Sequence, residues 1–298
     1  MEKKSNRKKP ASRIVYWLLL GVFCLIFIGS AIYLGNYLFH SIEAGNEYSD
    51  LQDMYVPPSR PPITEPTEGT GPVESTEPTE SIPPEDREIL PELQVFYEQN
   101  NHLVGWINVP GTRINYPVVQ QPIGSASQYE SHLKRCYFKE GWSTSDYYLK
   151  HTFSGSCSDW GAIYVRESCN VFSPSDNITI YGHHMKDGSM FSGLDGYKKQ
   201  SFWETHQYIY FDTLYERHVY QVIVAFKTSA NYGEGYAYHL FDDAASEEEF
   251  NKFIADVKAL AYYDTGISAQ YGDKLITLST CEYTLDNGRH VVIAKRIG

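Results

Sequence analysis

Cys281 closes one strand-like run, KLITLSTC, and Arg289 opens the next, RHVVIAKRI, with a short polar loop between them. A thiol attacks as its thiolate, and a neighbouring guanidinium favours that form. The same guanidinium carries a fork of donors suited to holding an oxyanion where a carbonyl is attacked. A cysteine nucleophile also needs an acid to protonate the leaving group, and histidine is the usual choice. Of the ten histidines, the best placed are His183 and His184 in NITIYGHHMKDGSMF. There Ile178 to Tyr181 reads as a strand, Gly182 breaks it, and a strand-end loop is where sites gather. Residue chemistry alone therefore suits a Cys-His-Arg transacylase or thiol hydrolase.

Each residue also has a plainer role open to it. A lone cysteine is usually a small buried hydrophobe, and a lone arginine an ordinary surface or salt-bridge residue. Adjacent histidines cannot chelate from one strand face, and no nearby Cys or His completes a zinc set, so no metal is expected. Among the other cysteines, Cys24 falls in an apolar run, while Cys136, Cys157 and Cys169 follow much later. An oxidising exterior would permit one disulfide, such as Cys157 with Cys169, and free structural thiols are equally compatible.

The elements that must position these residues are mostly strands. GWINVPGTRINYPVVQ reads as two short strands around a Pro110-Gly111 turn, and GAIYV, NITIYG, QYIYF, VYQVIVAFK, KLITLST and RHVVIAKRI follow, rich in Tyr and Val. In the last pair, Thr277, Ser279 and Cys281 share a face of one strand and Arg289, Val291 and Ile293 a face of the other. If residues 282–288 form the connection, with Asn287-Gly288 as the turn signal, the strands are antiparallel neighbours and Cys281 lies near Arg289. One helix is expected to end near Asn100 or Asn101. A second follows the capping box of Ser246 and Glu249, with Phe250, Phe253, Ile254, Val257, Leu260 and Ala261 at helical spacing. Many short strands with one or two helices predict a closed or nearly closed β-barrel, with a sandwich as the alternative.

The N-terminal third is organised differently. Residues 1–13 hold six Lys/Arg and one Glu, and residues 14–39 run without a charge. That run is long enough to cross a hydrocarbon core of roughly 30 Å, and too long for the apolar region of a cleaved signal peptide. It predicts a single-pass anchor with a cytoplasmic basic tail and everything beyond about Ser41 outside. The whole chain carries a formal charge of -12, which argues against a nucleic-acid partner. Residues 40–55 form a short juxtamembrane piece. Residues 56–86, dense in Pro, Thr and Glu with TEPTE twice, have little to bury and read as a disordered stalk reaching up to about 90 Å. Residues 87–298 have the composition of a folded extracellular domain.

TLSTC with the arginine of GRHVVIAK eight residues later, and IYGHH about a hundred residues upstream, closely resemble the sortases, cysteine transpeptidases of Gram-positive bacteria. GWINVPGTRINYPVVQ, YYLKHTFSGSCSDWGAIYV and the capped helix resemble class B sortases in particular, over about Pro91 to Ile297. The resemblance implies an eight-stranded β-barrel with an N-terminal helical portion and a long helix before the Cys-bearing strand. It implies catalytic roles for Cys281 as nucleophile, Arg289 as oxyanion holder and His183 as acid and base, with His184 a neighbour. Leu149, Tyr181, Ser279, Thr280 and Glu282 match positions that line the sorting-signal groove.

No cofactor is implied, because a thioester stores the bond energy until an amine arrives. The implied partners are secreted proteins bearing a C-terminal sorting signal, and an acceptor amine from a peptidoglycan precursor or a pilin lysine. Residues 121–146 exceed the connection usual for the family, as a surface insertion or as a lid or docking element. A non-catalytic adhesion barrel and a thiol peptidase are the competing functions. The first would have marked itself by loss of Cys, His or Arg, and the second differs only in giving its acyl group to water.

Overall fold

A computed structural model of the chain describes residues 10–60, 87–121, 144–231 and 233–298. Most of the expected stalk and most of the 121–146 insertion lie outside the described residues. The chain divides into two compact units, Met1–Glu47 and Tyr48–Gly298.

One continuous helix, α1 (Pro10–Met54), carries the apolar run. It is long and apolar enough to cross a membrane, with a window of mean hydropathy 2.4 that is fully exposed. A helix apolar on every side suits lipid rather than water.

In the second unit, helix α2 (Pro91–Gln99) starts on a proline, whose missing N–H costs nothing at that position, and ends at Asn100. Eight strands follow: β1 (Leu103–Asn108), β2 (Asn115–Val119), β3 (Ile163–Val165), β4 (Asn177–Tyr181), β5 (Tyr208–Thr213), β6 (Val219–Ser229), β7 (Leu275–Glu282) and β8 (Gly288–Arg296). They close into a barrel in the order β1-β2-β3-β4-β7-β8-β6-β5, with β1 pairing back to β5. Closure removes the edges a sandwich would leave, and the barrel is the architecture the family resemblance implied. The β2–β3 and β4–β7 pairs are parallel, the rest antiparallel.

Helix α3 (Glu247–Ala259) lies in the connection before β7. The Ser246 hydroxyl accepts from the Glu249 amide at 3.3 Å, and the Glu249 carboxylate accepts in turn from the Ala245 amide at 2.8 Å. Its buried face, Phe250, Phe253, Ile254 and Val257, packs with Val224, Phe226, Leu275, Val291 and Ile293. At about 1.5–3 kcal/mol for each large side chain taken from water, that face fastens the helix to the sheet that carries Cys281 and Arg289.

The disulfide between Cys157 and Cys169 is not formed. Cys157 is disulfide-bonded, but Cys169 is a free buried thiol. Its sulfur donates toward the Asp242 carboxylate at 3.4 Å and accepts from the Thr179 amide, and burial pushes the thiol up to about 12. Sequence spacing gave no access to this packing.

His290, buried on β8, donates from Nε2 to the Leu194 carbonyl at 2.8 Å, and its Nδ1 meets the Tyr262 hydroxyl at 3.2 Å. Burial pushes its pKa down to about 4 from 6.5. Below pH 6.5 the unfolded chain binds a proton that the native state refuses, so stability falls as pH drops toward 4, by about 3 kcal/mol for this group. Thermal unfolding midpoints measured across that window should fall in the wild type and fall less steeply in His290→Gln.

Candidate active site

The Cys281–Arg289 arrangement is a product of the β7–β8 ladder. The two residues are direct cross-strand partners, flanked by the Thr280–His290 and Glu282–Gly288 pairs. The strands extend to Glu282 and Gly288, so the connection is 283–287, shorter than the 282–288 expected. Asn287 takes a positive φ of 47°, which asparagine tolerates better than most residues. Gly288 leaves no room for a side chain, since a Cβ there would stand 2.3 Å from the Glu282 carbonyl oxygen. This tight return is what sets the guanidinium. Arg289 Nη1 donates to the carbonyls of Gly288 at 2.9 Å and Asn287 at 3.2 Å, and to the Asn287 side-chain oxygen at 3.1 Å. One nitrogen is spent on the turn, and among the described residues the rest of the fork has no hydrogen-bond partner.

His183 is positioned from the other side of β7. The parallel β4–β7 register runs from Asn177 opposite Leu275 to Tyr181 opposite Ser279. His183 follows two residues after the last of these pairs and lines the same cleft as Cys281. A buried hydrogen bond from the Thr277 hydroxyl to the Asn177 side-chain oxygen, 2.8 Å, locks this register, as does the Gly182 amide on the Ser279 carbonyl at 3.1 Å. Gly182 must be glycine because a Cβ would lie 2.5 Å from Ile163 and 2.7 Å from Phe191. His183 Nε2 meets the Leu149 carbonyl at 2.7 Å. A carbonyl only accepts, so Nε2 carries the hydrogen and Nδ1 is left for proton transfer. Burial pushes the His183 pKa below its ordinary value, against a smaller opposing effect of that carbonyl.

Cys281, His183 and Arg289 line one cleft of about 530 Å³, together with Leu149, Tyr181, Ser279 and Thr280. Glu282 is the expected groove residue that does not join them. The period-two alternation turns it from the face of Ser279 and Cys281, and its carboxylate accepts from the Thr284 amide and hydroxyl, both at 2.8 Å, and lies 3.5 Å from Lys198. His184 also serves elsewhere, with its Nε2 2.9 Å from the Asp195 carboxylate and its carbonyl accepting from Tyr283.

Among the cleft residues that sequence reasoning missed, three bear on its chemistry. The Tyr238 hydroxyl, from a short turn before α3, bonds the Ser279 hydroxyl at 2.6 Å. Arg166, just past β3, is held by the Asp242 carboxylate at 3.0 and 3.1 Å and the His239 carbonyl. Asn287, which the sequence marks as a turn residue, also lines the cleft, and its place two positions before Arg289 is a usable signal. The other two come from distant loops and left no local pattern.

A closed eight-stranded barrel with a thiol, an imidazole and a guanidinium in one cleft is the framework of a cysteine acyl-transfer enzyme. The Sortase domain model matches residues 107–297, and the chain belongs to the sortase family of cysteine transpeptidases. Its relatives are of class B. Sortase B of Staphylococcus aureus is 29% identical over 211 residues, spanning 70% of this chain and 76% of that protein. Among solved structures, the S. aureus sortase B–substrate complex is 30% identical with a TM-score of 0.58, over 70% of this chain and 86% of the other. A sortase B from B. anthracis is 26% identical with a TM-score of 0.62, over 87% and 99%.

Proposed function

We propose that this chain is a membrane-anchored class B transpeptidase that cleaves a C-terminal sorting signal after threonine and passes the acyl group to an amine, fixing surface proteins to the cell wall. The observation that carries the reading is the cross-strand pairing of Cys281 with Arg289 in the cleft that His183 lines. The substrate complex known for S. aureus sortase B supports a peptide occupant for that cleft. Residues 14–39 are the anchor, with the basic tail cytoplasmic and the barrel outside.

In the proposed reaction, Leu149, Tyr181, Ser279 and Thr280 flank the bound signal. Cys281 gives its proton to His183 Nδ1 and its sulfur attacks the threonine carbonyl. Arg289 holds the oxyanion of the tetrahedral intermediate. Collapse breaks the C–N bond, and the His183 imidazolium protonates the departing amine, leaving a thioacyl-enzyme. An incoming amine then attacks, returns a proton to His183 and releases the thiolate. The acceptor is a peptidoglycan precursor peptide or a pilin lysine.

Mass spectrometry of the protein with sorting-signal peptides, with and without triglycine, lysine and diaminopimelate peptides, tests this reading. A Cys281 acyl adduct that resolves to an amide supports it and identifies the acceptor. Acyl transfer to water alone in the presence of every amine would favour the peptidase. No adduct on a folded barrel with a free thiol would favour a binding protein.

A pH dependence follows from His183. It must be neutral to accept the thiol proton, and burial extends its neutral form to lower pH than an ordinary histidine. The acid limb of kcat/KM should therefore fall below pH 6.5 in a peptide-cleavage assay, and a limb above that value would count against His183 as the base.

A further inference from the structure

Arg166, Glu167 and Ser168 line the cleft from the chain that leaves β3, and Tyr238 and His239 line it from the chain that leaves β6. In the barrel order β3 and β6 flank β4, β7 and β8, so the two segments reach the cleft from opposite sides. One carboxylate joins them. Asp242 accepts from the Ser168 hydroxyl at 2.6 Å, from Arg166 Nη1 at 3.0 and 3.1 Å, and from the Cys169 thiol at 3.4 Å. The same Arg166 nitrogen donates to the His239 carbonyl.

The tie is itself fixed at both ends. The Asp242 carbonyl accepts from the Asn177 amide at the start of β4, at 2.8 Å, and the Asn177 side chain donates to the Phe241 carbonyl at 2.9 Å. Four residues before Asp242, the Tyr238 hydroxyl bonds the Ser279 hydroxyl at 2.6 Å, on the strand face that also carries Cys281. The chain between Tyr238 and Asp242 therefore has little freedom. The reacting groups are held by other means: Cys281 and Arg289 by the β7–β8 ladder, and His183 by the Leu149 carbonyl. None of those contacts runs through Asp242.

We infer that Asp242 is a positioning residue for the sorting signal, acting through Arg166 and His239 to fix the two sides of the cleft at the separation a peptide needs. The inference rests on the reading of the cleft as a sorting-signal site. A carboxylate suits the place because each oxygen can accept more than one bond, and it sets no hydrogen against the guanidinium, hydroxyl and thiol that converge on it. Asparagine has the same shape, but its NH2 group would face donors with donors. Without the tie the two sides are free to part and the peptide binds less well, while a peptide once bound meets an unchanged Cys281. Such a loss falls on KM and spares kcat.

The test uses the full-length protein in detergent and the sorting-signal peptide it cleaves best. Asp242→Asn should raise KM at least tenfold with kcat within threefold of wild type. A rise in KM below threefold, or a loss in kcat larger than the rise in KM, would overturn the positioning role. Ser168→Ala removes one donor from the carboxylate at an exposed position and so leaves the barrel folded even where Asp242→Asn does not. It should lower kcat/KM at least twofold, and an unchanged value would count against the tie. A second readout needs no turnover. Cys169 is buried and bonded to the same carboxylate, so with Cys281→Ala as the common background it should react with a maleimide at least fivefold faster in Asp242→Asn, read by peptide mapping. Unchanged labelling would show that the carboxylate does not hold the segment after β3 and would overturn the inference. If the wild type cleaves no sorting-signal peptide, the sorting-signal reading fails alone, and the labelling decides whether Asp242 ties the two sides.

Discussion

Cys281→Ala is expected to lose at least about 10³-fold in turnover while the barrel stays folded. The two halves of that result have separate causes. The thiol is the atom that becomes bonded to the acyl group, and a methyl group cannot replace it, so neither the thioacyl intermediate nor the proton handed to His183 can form. Structurally, Cys281 sits near the end of β7, partly buried beside the cleft, and its cross-strand register with Arg289 is set by the backbone ladder, which alanine retains. Loss of one partly buried sulfur should cost about 1 kcal/mol or less. Peptide cleavage by the variant, its thermal midpoint and its affinity for a sorting-signal peptide check the prediction together. Residual turnover within tenfold of wild type would move the nucleophile elsewhere. A collapsed midpoint would make the kinetic loss uninformative about chemistry.

How much of this site can be read from the chain depends on how far apart its parts lie in sequence. Cys281 and Arg289 belong to one hairpin, so strand alternation and a turn signal at Asn287-Gly288 suffice to pair them. His183 is different. It reaches Cys281 through a parallel β4–β7 pairing across about a hundred residues, and no local pattern states that register; it was legible only through the resemblance to sortases. Tyr238 and Arg166 were not legible at all, because each enters the cleft from a loop whose path is set by the packing of α3 and β3. Glu282 illustrates a different limit, since adjacency to the nucleophile in sequence places it on the opposite face of the strand.

The N-terminal region shows how composition can mislead about connection. A Pro/Thr/Glu segment following an apolar run reads as a tether, and its composition does prevent it from building a core. What composition does not reveal is where the chain is fixed on either side. Tyr55 reads as a juxtamembrane residue and Arg60 as part of the stalk, yet Tyr55 stacks on Trp106 of β1 and Arg60 pairs with the Asp212 carboxylate of β5. Likewise Cys157 and Cys169 look pairable by spacing, yet Cys169 is committed to the Asp242 carboxylate and the β4 backbone.

Arg289→Lys should lower kcat by about 10²–10³-fold with KM changed only a few-fold, despite conserving charge. The reason lies in how the guanidinium is used. Its Nη1 is occupied by the Asn287 side chain and by the carbonyls of Asn287 and Gly288. Those bonds fix the plane of the group, and the remaining donors project from it in a set direction. A lysine ammonium could bond the same turn or face the cleft, but its single nitrogen cannot do both with a fixed geometry. Removing one donor to a developing oxyanion costs about 2.7–4 kcal/mol, which gives the expected range. Because the oxyanion exists only in the tetrahedral intermediate and the states leading to it, the loss should fall on kcat rather than on ground-state peptide binding. Single-turnover acylation of Cys281, followed by mass spectrometry, isolates the affected step. Near-normal acylation by Arg289→Lys would remove the oxyanion role and leave the arginine as a structural partner of the 283–287 turn.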